Sequence, residues 1–143
     1  MIKPDGVMRG MSVVNQIKQR YLDAGLSIVH EIKLRLDESE ARNFYREHEG
    51  MFYFEGLVLS MISGPCIVFV LRGEQAVKVV RALNGATDPA KAKPGTIRYD
   101  FRSAGGPFNT VHGSDSATAS AHEARIILDA QARVVVVLDS LWK

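Results

Sequence analysis

An α+β fold is what this 143-residue chain predicts, on three observations. Apolar residues recur at a period of two in some stretches and about 3.6 in others, and the two patterns alternate along the chain. Gly, Pro, Asn and Asp gather at the changeovers, where they set turns and caps. Hydrophobic residues make up 46% and charged residues 24%, enough apolar side chain for one core and a single domain over 1–143.

Met1 to Lys3 reads as extended and stops at a Pro4-Asp5-Gly6 turn. Ser12 to Ala24 places Val13, Val14, Ile17, Tyr21 and Leu22 at helical spacing, closed by Gly25. Leu26 to Leu36 alternates, so that Leu26, Ile28, His30, Ile32, Leu34 and Leu36 share one face of a half-buried strand. Asp37-Glu38-Ser39-Glu40 has the cap and acidic first turn of a helix running to about His48. Within it Phe44 and Tyr45 are adjacent and cannot both face inward. Another helix runs from Phe54 to Ile62 and ends at Ser63-Gly64-Pro65. Pro65 to Leu71 is apolar throughout, as a strand covered on both faces is, and its Cys66, the one cysteine, packs as a small core residue. Glu74 to Leu83 is helical, with a stop at Asn84-Gly85. A Gly-, Pro- and charge-rich stretch from Gly85 to Val111 leads to a short strand at Thr110-Val111-His112. Ala117 to Leu128 is helical, and Arg133-Val134-Val135-Val136-Val137-Leu138 reads as a strand or extended segment. This order, with antiparallel pairing, gives a ferredoxin-like sandwich: a four-stranded antiparallel sheet with helices packed on it.

Loops as long as Gly85 to Val111 are uncommon in compact domains and are often functional. This one delivers His112 to a Gly113-Ser114-Asp115-Ser116 turn, which frees the imidazole from a backbone ladder. A neutral, exposed imidazole is a nucleophile at physiological pH, although a lone histidine more simply punctuates a loop. Other residues decide between the two. Lys3 ends the first strand, Arg81 sits on a helix, Thr87 and Arg98 lie in the long loop, and Glu123 is placed to reach back to the ring. Two guanidinium groups, an ammonium and a hydroxyl around a nucleophile describe a polyphosphate site. Phosphoryl transfer needs little beyond positioning and neutralised oxygens. No Gly-x-x-x-x-Gly-Lys-Ser/Thr loop occurs, which excludes a P-loop mechanism. Ser114 and Asp115 read as turn and cap residues, His30 as strand-face packing, and His48 and His122 as surface.

The chain resembles the nucleoside diphosphate kinase family. The resemblance is carried by Ile2-Lys3-Pro4-Asp5-Gly6-Val7 with Arg9-Gly10, then Phe54-Glu55-Gly56-Leu57-Val58 and Ser63-Gly64-Pro65. Arg81 follows, then Gly85-Ala86-Thr87-Asp88-Pro89-Ala90, Lys93-Pro94-Gly95-Thr96-Ile97-Arg98 and Asn109 to Ser116. It covers about residues 1–128 and leaves a divergent tail at 129–143. It implies a ping-pong exchange of the γ-phosphate between nucleoside triphosphates and diphosphates, with His112 as the residue that becomes phosphorylated. Glu123 would orient the imidazole; Lys3, Tyr45 and Asn109 would surround the transferred phosphate and the ribose; Arg81, Thr87 and Arg98 would hold the distal phosphates. Tyr53 falls where the family usually has a phenylalanine that stacks on the base, and Leu57 would pack nearby. Mg²⁺ would ride on the nucleotide phosphates with few protein ligands.

Departures from the pattern are local. Relatives carry more of the first strand, Tyr99 replaces a usual glycine, and the segment from Phe101 to Phe108 is about one residue longer, with Phe108 where arginine is frequent. The resemblance also implies a homo-oligomer, tetramer or hexamer. A net charge of +2 and the lack of an interleaved basic and aromatic strand motif argue against a nucleic-acid surface. With no secretory signal and no apolar run of membrane length, a cytoplasmic setting is expected.

Overall fold

The computed structural model describes residues 1–102 and 106–141, with side chains through Arg133. Helices α1 (Pro4–Val7) and α2 (Met11–Asp23) precede strand β1 (Ser27–Leu34), then come α3 (Glu38–Phe44), α4 (Phe54–Ile62) and strand β2 (Cys66–Arg72). After these lie α5 (Ala76–Asn84), α6 (Ile97–Asp100) and α7 (Ala117–Leu141). Short 3-10 turns occur at Arg46–His48 and Pro89–Lys91.

An α+β architecture is therefore present, and β1 and β2 pair antiparallel. Among the described residues the sheet has two strands rather than the expected four. The other two extended segments make single bridges, Ile2 to Ile67 and Ile2 to Val111, both antiparallel. The lateral order is thus Val111, Ile2, β2, β1. Neither bridge runs on past Lys3 or back before Thr110, although Met1 and His112 also exchange a pair of backbone bonds at 2.9 Å. Pro4 has no N–H to offer a ladder and opens α1 directly after Lys3, so the predicted Pro4-Asp5-Gly6 turn is a helix start. On the other side, Thr110 leaves the extended region with φ of 69°.

The single apolar face predicted for Leu26 to Leu36 does not exist. Ile28 pairs with Leu71 but His30 pairs with Val70, so Val29 is the extra residue of a bulge. Cross-strand partners share a face, and one inserted residue transfers every later side chain to the other face. Ile32, Leu34 and Leu36 accordingly join Phe44, Tyr45, Met61, Cys66 and Ile127 in one core. Leu26 and Ile28 pack instead with Ile17, Tyr21, Ile67, Phe69 and Val111 on the opposite side. His30 lies at the switch and is exposed rather than packed.

The capping box expected of Asp37 is present: its side chain accepts from the Glu40 amide at 2.8 Å, and Glu40 returns a bond to the Asp37 amide at 2.8 Å. Phe44 and Tyr45 are both buried, against expectation, because α3 ends at Phe44 and Tyr45 leaves the helical period. The tail is also corrected. Residues 129–141 continue α7 as helix, where a strand or extended segment was expected for Arg133 to Leu138. Propagating a formed helix adds one bond for each residue fixed, which outweighs the strand preference of consecutive valines. No helix among the described residues is long and apolar enough to cross a membrane.

Candidate active site

His112 is set by the kink before it. Thr110, a β-branched residue in the left-handed region, is held there by three bonds. Its amide donates to Asp5 Oδ2 at 3.0 Å, its hydroxyl to the Phe101 carbonyl at 2.7 Å, and its carbonyl accepts from the Lys3 amide at 2.9 Å. Beyond the histidine the space for a side chain is tight. A Cβ at Gly113 would lie 2.9 Å from Asn84 Nδ2 and 3.1 Å from Val80 Cγ1.

Glu123, in the early part of α7, brings Oε1 to 2.9 Å from His112 Nε2. Ser114 Oγ donates to Oε2, so both carboxylate oxygens are engaged. A carboxylate only accepts, so Nε2 carries the proton and Nδ1 keeps its lone pair. Phe44 and Tyr45 meet the imidazole edge-on, with ring centroids at 5.0 and 5.5 Å. Burial pushes the His112 pKa down from its usual 6.5, and the bond to Glu123 recovers only part of the shift. The ring is neutral at pH 7. Burial alone would raise the Glu123 pKa, but the bonds from His112 and Ser114 outweigh it and keep the carboxyl ionised.

Lys3 is 2% exposed, and its ammonium donates to the Pro107 carbonyl at 2.6 Å and to Asn109 Oδ1 at 2.9 Å. Burial brings its pKa down to about 8, with Asp5 opposing the fall. Asn109 passes the chain on, its Nδ2 donating to the Thr87 carbonyl at 3.0 Å, while the Thr87 side chain is exposed. Arg98 is buried and spans three backbone carbonyls: Gly85 at 2.8 Å, Val111 at 2.8 Å and Asn109 at 3.3 Å. It clamps the long loop closed, and a guanidinium has five N–H donors, so further donors remain. Arg81 is exposed, paired with the Asp115 carboxylate and 3.5 Å from the Gly113 carbonyl.

The structure thus gathers His112, Glu123, Lys3, Asn109, Arg98 and Arg81 around one loop end, with the Tyr45 ring against the imidazole. The Tyr45 hydroxyl turns to Met61 Sδ in the core, at 3.7 Å. Tyr53 lies farther out, exposed, with its phenol 2.8 Å from His48 Nδ1. Leu57 is a core residue, 9% exposed. His48 and His122 are half-buried rather than surface residues, and His122 Nε2 is buried with no hydrogen-bond partner among the described residues. Sequence reasoning missed Ser114, Phe44 and the Pro107 carbonyl. Ser114 was explained fully by its turn, and only the return of α7 over the loop shows it facing a carboxylate.

A cavity of about 140 Å³ opens on each side of His112. One is walled by Val68, Val80, Ser114 and Ile127, the other by Tyr45, His48, Thr118 and His122. Among the described residues no three His, Cys, Asp or Glu side chains converge as a metal-binding group. The cations around the loop end suit a metal carried by phosphate oxygens, since the protein need supply only opposing charge.

A family model described as nucleoside diphosphate kinase matches residues 1–132. Solved structures agree with it. A halophilic nucleoside diphosphate kinase from Halobacterium salinarum, in complex with CDP, is 40% identical, with a TM-score of 0.82 over 87% of this chain and 82% of that one. The Aquifex aeolicus nucleoside diphosphate kinase is 32% identical, with a TM-score of 0.81 over 88% and 89%. That of Encephalitozoon cuniculi, in an apo form, is 30% identical, with a TM-score of 0.82 over 87% and 83%.

Proposed function

Because the chain belongs to the nucleoside diphosphate kinase family, and so exchanges the terminal phosphate between nucleoside triphosphates and diphosphates, we propose that His112 is the residue that carries it. The observation that supports this reading best is the pairing of Nε2 with Glu123, which leaves the Nδ1 lone pair of a neutral ring available. Nδ1 attacks the γ-phosphorus, the bond to the β,γ-bridging oxygen breaks, and the nucleoside diphosphate departs with that electron pair. A β-phosphate oxygen of the second diphosphate then attacks, the N–P bond breaks, and the neutral imidazole returns. Splitting the transfer in this way gives two nearly symmetric steps.

Glu123 orients the ring and stabilises the charge that grows on it, with Ser114 holding the carboxylate. Lys3, Asn109 and Tyr45 surround the transferred phosphate and ribose, while Arg98, with Arg81 and Thr87 on the open side, meets the distal phosphates. Tyr53 offers a face to the base above the buried Leu57; stacking reads the π-face and tolerates any base. The divalent metal that the family works with is read here as Mg²⁺ on phosphates held by Lys3, Arg81 and Arg98. When bound it would neutralise the phosphate oxygens.

The lateral order of the four extended segments fits the ferredoxin-like sheet, with the two single bridges standing for its shorter strands, and the chain is read as one domain. A homo-oligomer, tetramer or hexamer, and a cytoplasmic setting complete the reading; exposed Met8, Met11 and Leu59 are compatible with subunit packing. Incubation with γ-labelled ATP tests the centre of it. Acid-labile, alkali-stable label should appear on the protein, discharge onto any added diphosphate, and be absent from His112→Ala. Label that persists in that variant sinks the assignment.

A further inference from the structure

Tyr53 is tethered at its far end. Its phenol lies 2.8 Å from Nδ1 of His48, a bond that the phenylalanine usual at this position in the family could not make. The His48 and Tyr53 rings also touch, with centroids at 5.6 Å. His48 in turn packs on Tyr45 at 5.9 Å, and Tyr45 on His112 at 5.5 Å. On the outer side Phe52, 97% exposed, meets Tyr53 edge-on at 5.4 Å. Tyr45 is 6% exposed and fixed by the core, so the tether runs from a rigid anchor to a ring that is itself 37% exposed.

We propose that His48 is a positioning residue for nucleotide recognition, fixing the Tyr53 ring in the orientation on which the base stacks. The inference rests on the reading of Tyr53 as the base platform. An untethered exposed ring must be ordered when ligand arrives, at the expense of affinity; a tethered ring is ordered beforehand. The histidine does not touch nucleotide in this account. Its effect falls on the base and leaves the phosphate end alone.

Calorimetric affinities for ADP and for inorganic tripolyphosphate, each with Mg²⁺, separate the possibilities. Tyr53→Ala should weaken ADP by about five- to a hundredfold, the worth of one stacked base, and leave tripolyphosphate unchanged. His48→Ala and Tyr53→Phe should each weaken ADP by about two- to tenfold, the worth of one hydrogen bond, again sparing tripolyphosphate. The double variant should be no weaker than either single one, and His48→Asn, which keeps a polar atom near the place of Nδ1, should recover most of the loss. If Tyr53→Ala weakens ADP but His48→Ala does not, the positioning role is wrong and the platform stands. Loss of both ligands in His48→Ala also overturns it, since that marks a general disturbance of the site. No change in Tyr53→Ala removes the platform itself.

Discussion

The two sides of His112 are built to different standards. Toward the core, both oxygens of Glu123 are bonded, Phe44 and Tyr45 are buried, and Lys3 and Arg98 make fixed contacts to backbone carbonyls. Toward the open side, Arg81, Thr87 and Tyr53 are exposed, and Arg81 is held by an exposed ion pair to Asp115. Exposed pairs of that kind are worth about 0–1 kcal/mol and are screened by salt. The inner side is therefore organised before substrate arrives, and on the proposed reading the outer side would exchange partners when it does. Chemistry and recognition are separable here, so damage inward should fall on kcat and damage outward on KM.

The largest break is His112→Ala. With no nucleophile, kcat should fall on the order of 10⁴-fold or more while nucleotide affinity stays close to wild type. Steady-state rates and equilibrium dialysis with ADP check the split. A comparable loss of affinity would mean that the imidazole is part of the recognition surface and that the inner and outer sides are not distinct.

Arg98→Met comes next, because Arg98 belongs to the inner side in spite of its charge. The Gly85 and Val111 carbonyls lose their donor together, while the Asn109 carbonyl keeps the Val111 amide at 2.7 Å, and each orphan costs about 1–3 kcal/mol. Urea unfolding should show a loss of about 2 kcal/mol or more in the absence of any nucleotide. A variant of unchanged stability would return Arg98 to the class of plain phosphate ligands.

The clamp that Arg98 makes was hidden in the sequence, and the reason is general. Residue type and spacing single out Lys3, Arg98, His112 and Glu123, because few residue types suit a polyphosphate beside a nucleophile, and the structure brings the four around one loop end. Helix α4 is legible to the residue, Phe54 to Ile62, since apolar spacing and the Ser63-Gly64-Pro65 stop agree. What the chain hides is set by single residues whose effect is nonlocal. One inserted residue at Val29 moves half of β1 to the other core, although the alternation reads smoothly through it. Ser114 looks spent on its turn until α7 lies across it. The valine run at 134–137 favours a strand locally and is overruled by the helix already running into it.

On the outer side, Arg81→Ala should raise KM about tenfold with little change in kcat, the worth of one solvent-exposed charge-assisted contact to phosphate. The penalty should shrink as salt rises, since an exposed charge is screened beyond a Debye length. Stability should hardly move. A KM effect that ignores ionic strength would show that the guanidinium is desolvated in the complex and that the outer side closes more tightly than its exposure suggests.

The finest test displaces a midpoint rather than a rate. In the free enzyme the imidazole must be neutral and Lys3 charged, so kcat/KM should be bell-shaped. Burial lowers the His112 pKa, so the acid limb should lie below the ordinary 6.5, and activity is lost as pH falls through it. Burial also brings Lys3 down, so the alkaline limb should fall at about 8, and activity is lost as pH rises through it. Glu123 is what raises the imidazole against burial; Glu123→Gln should therefore move the acid limb to still lower pH and leave the alkaline one in place. Lys3→Arg should do the reverse, removing the alkaline limb because a guanidinium stays charged throughout. Both limbs belong to buried groups, and Arg81→Ala should shift neither. If it does, the exposed guanidinium is felt inside the site, and the division between an inner chemical side and an outer recognition side fails at its electrostatic root.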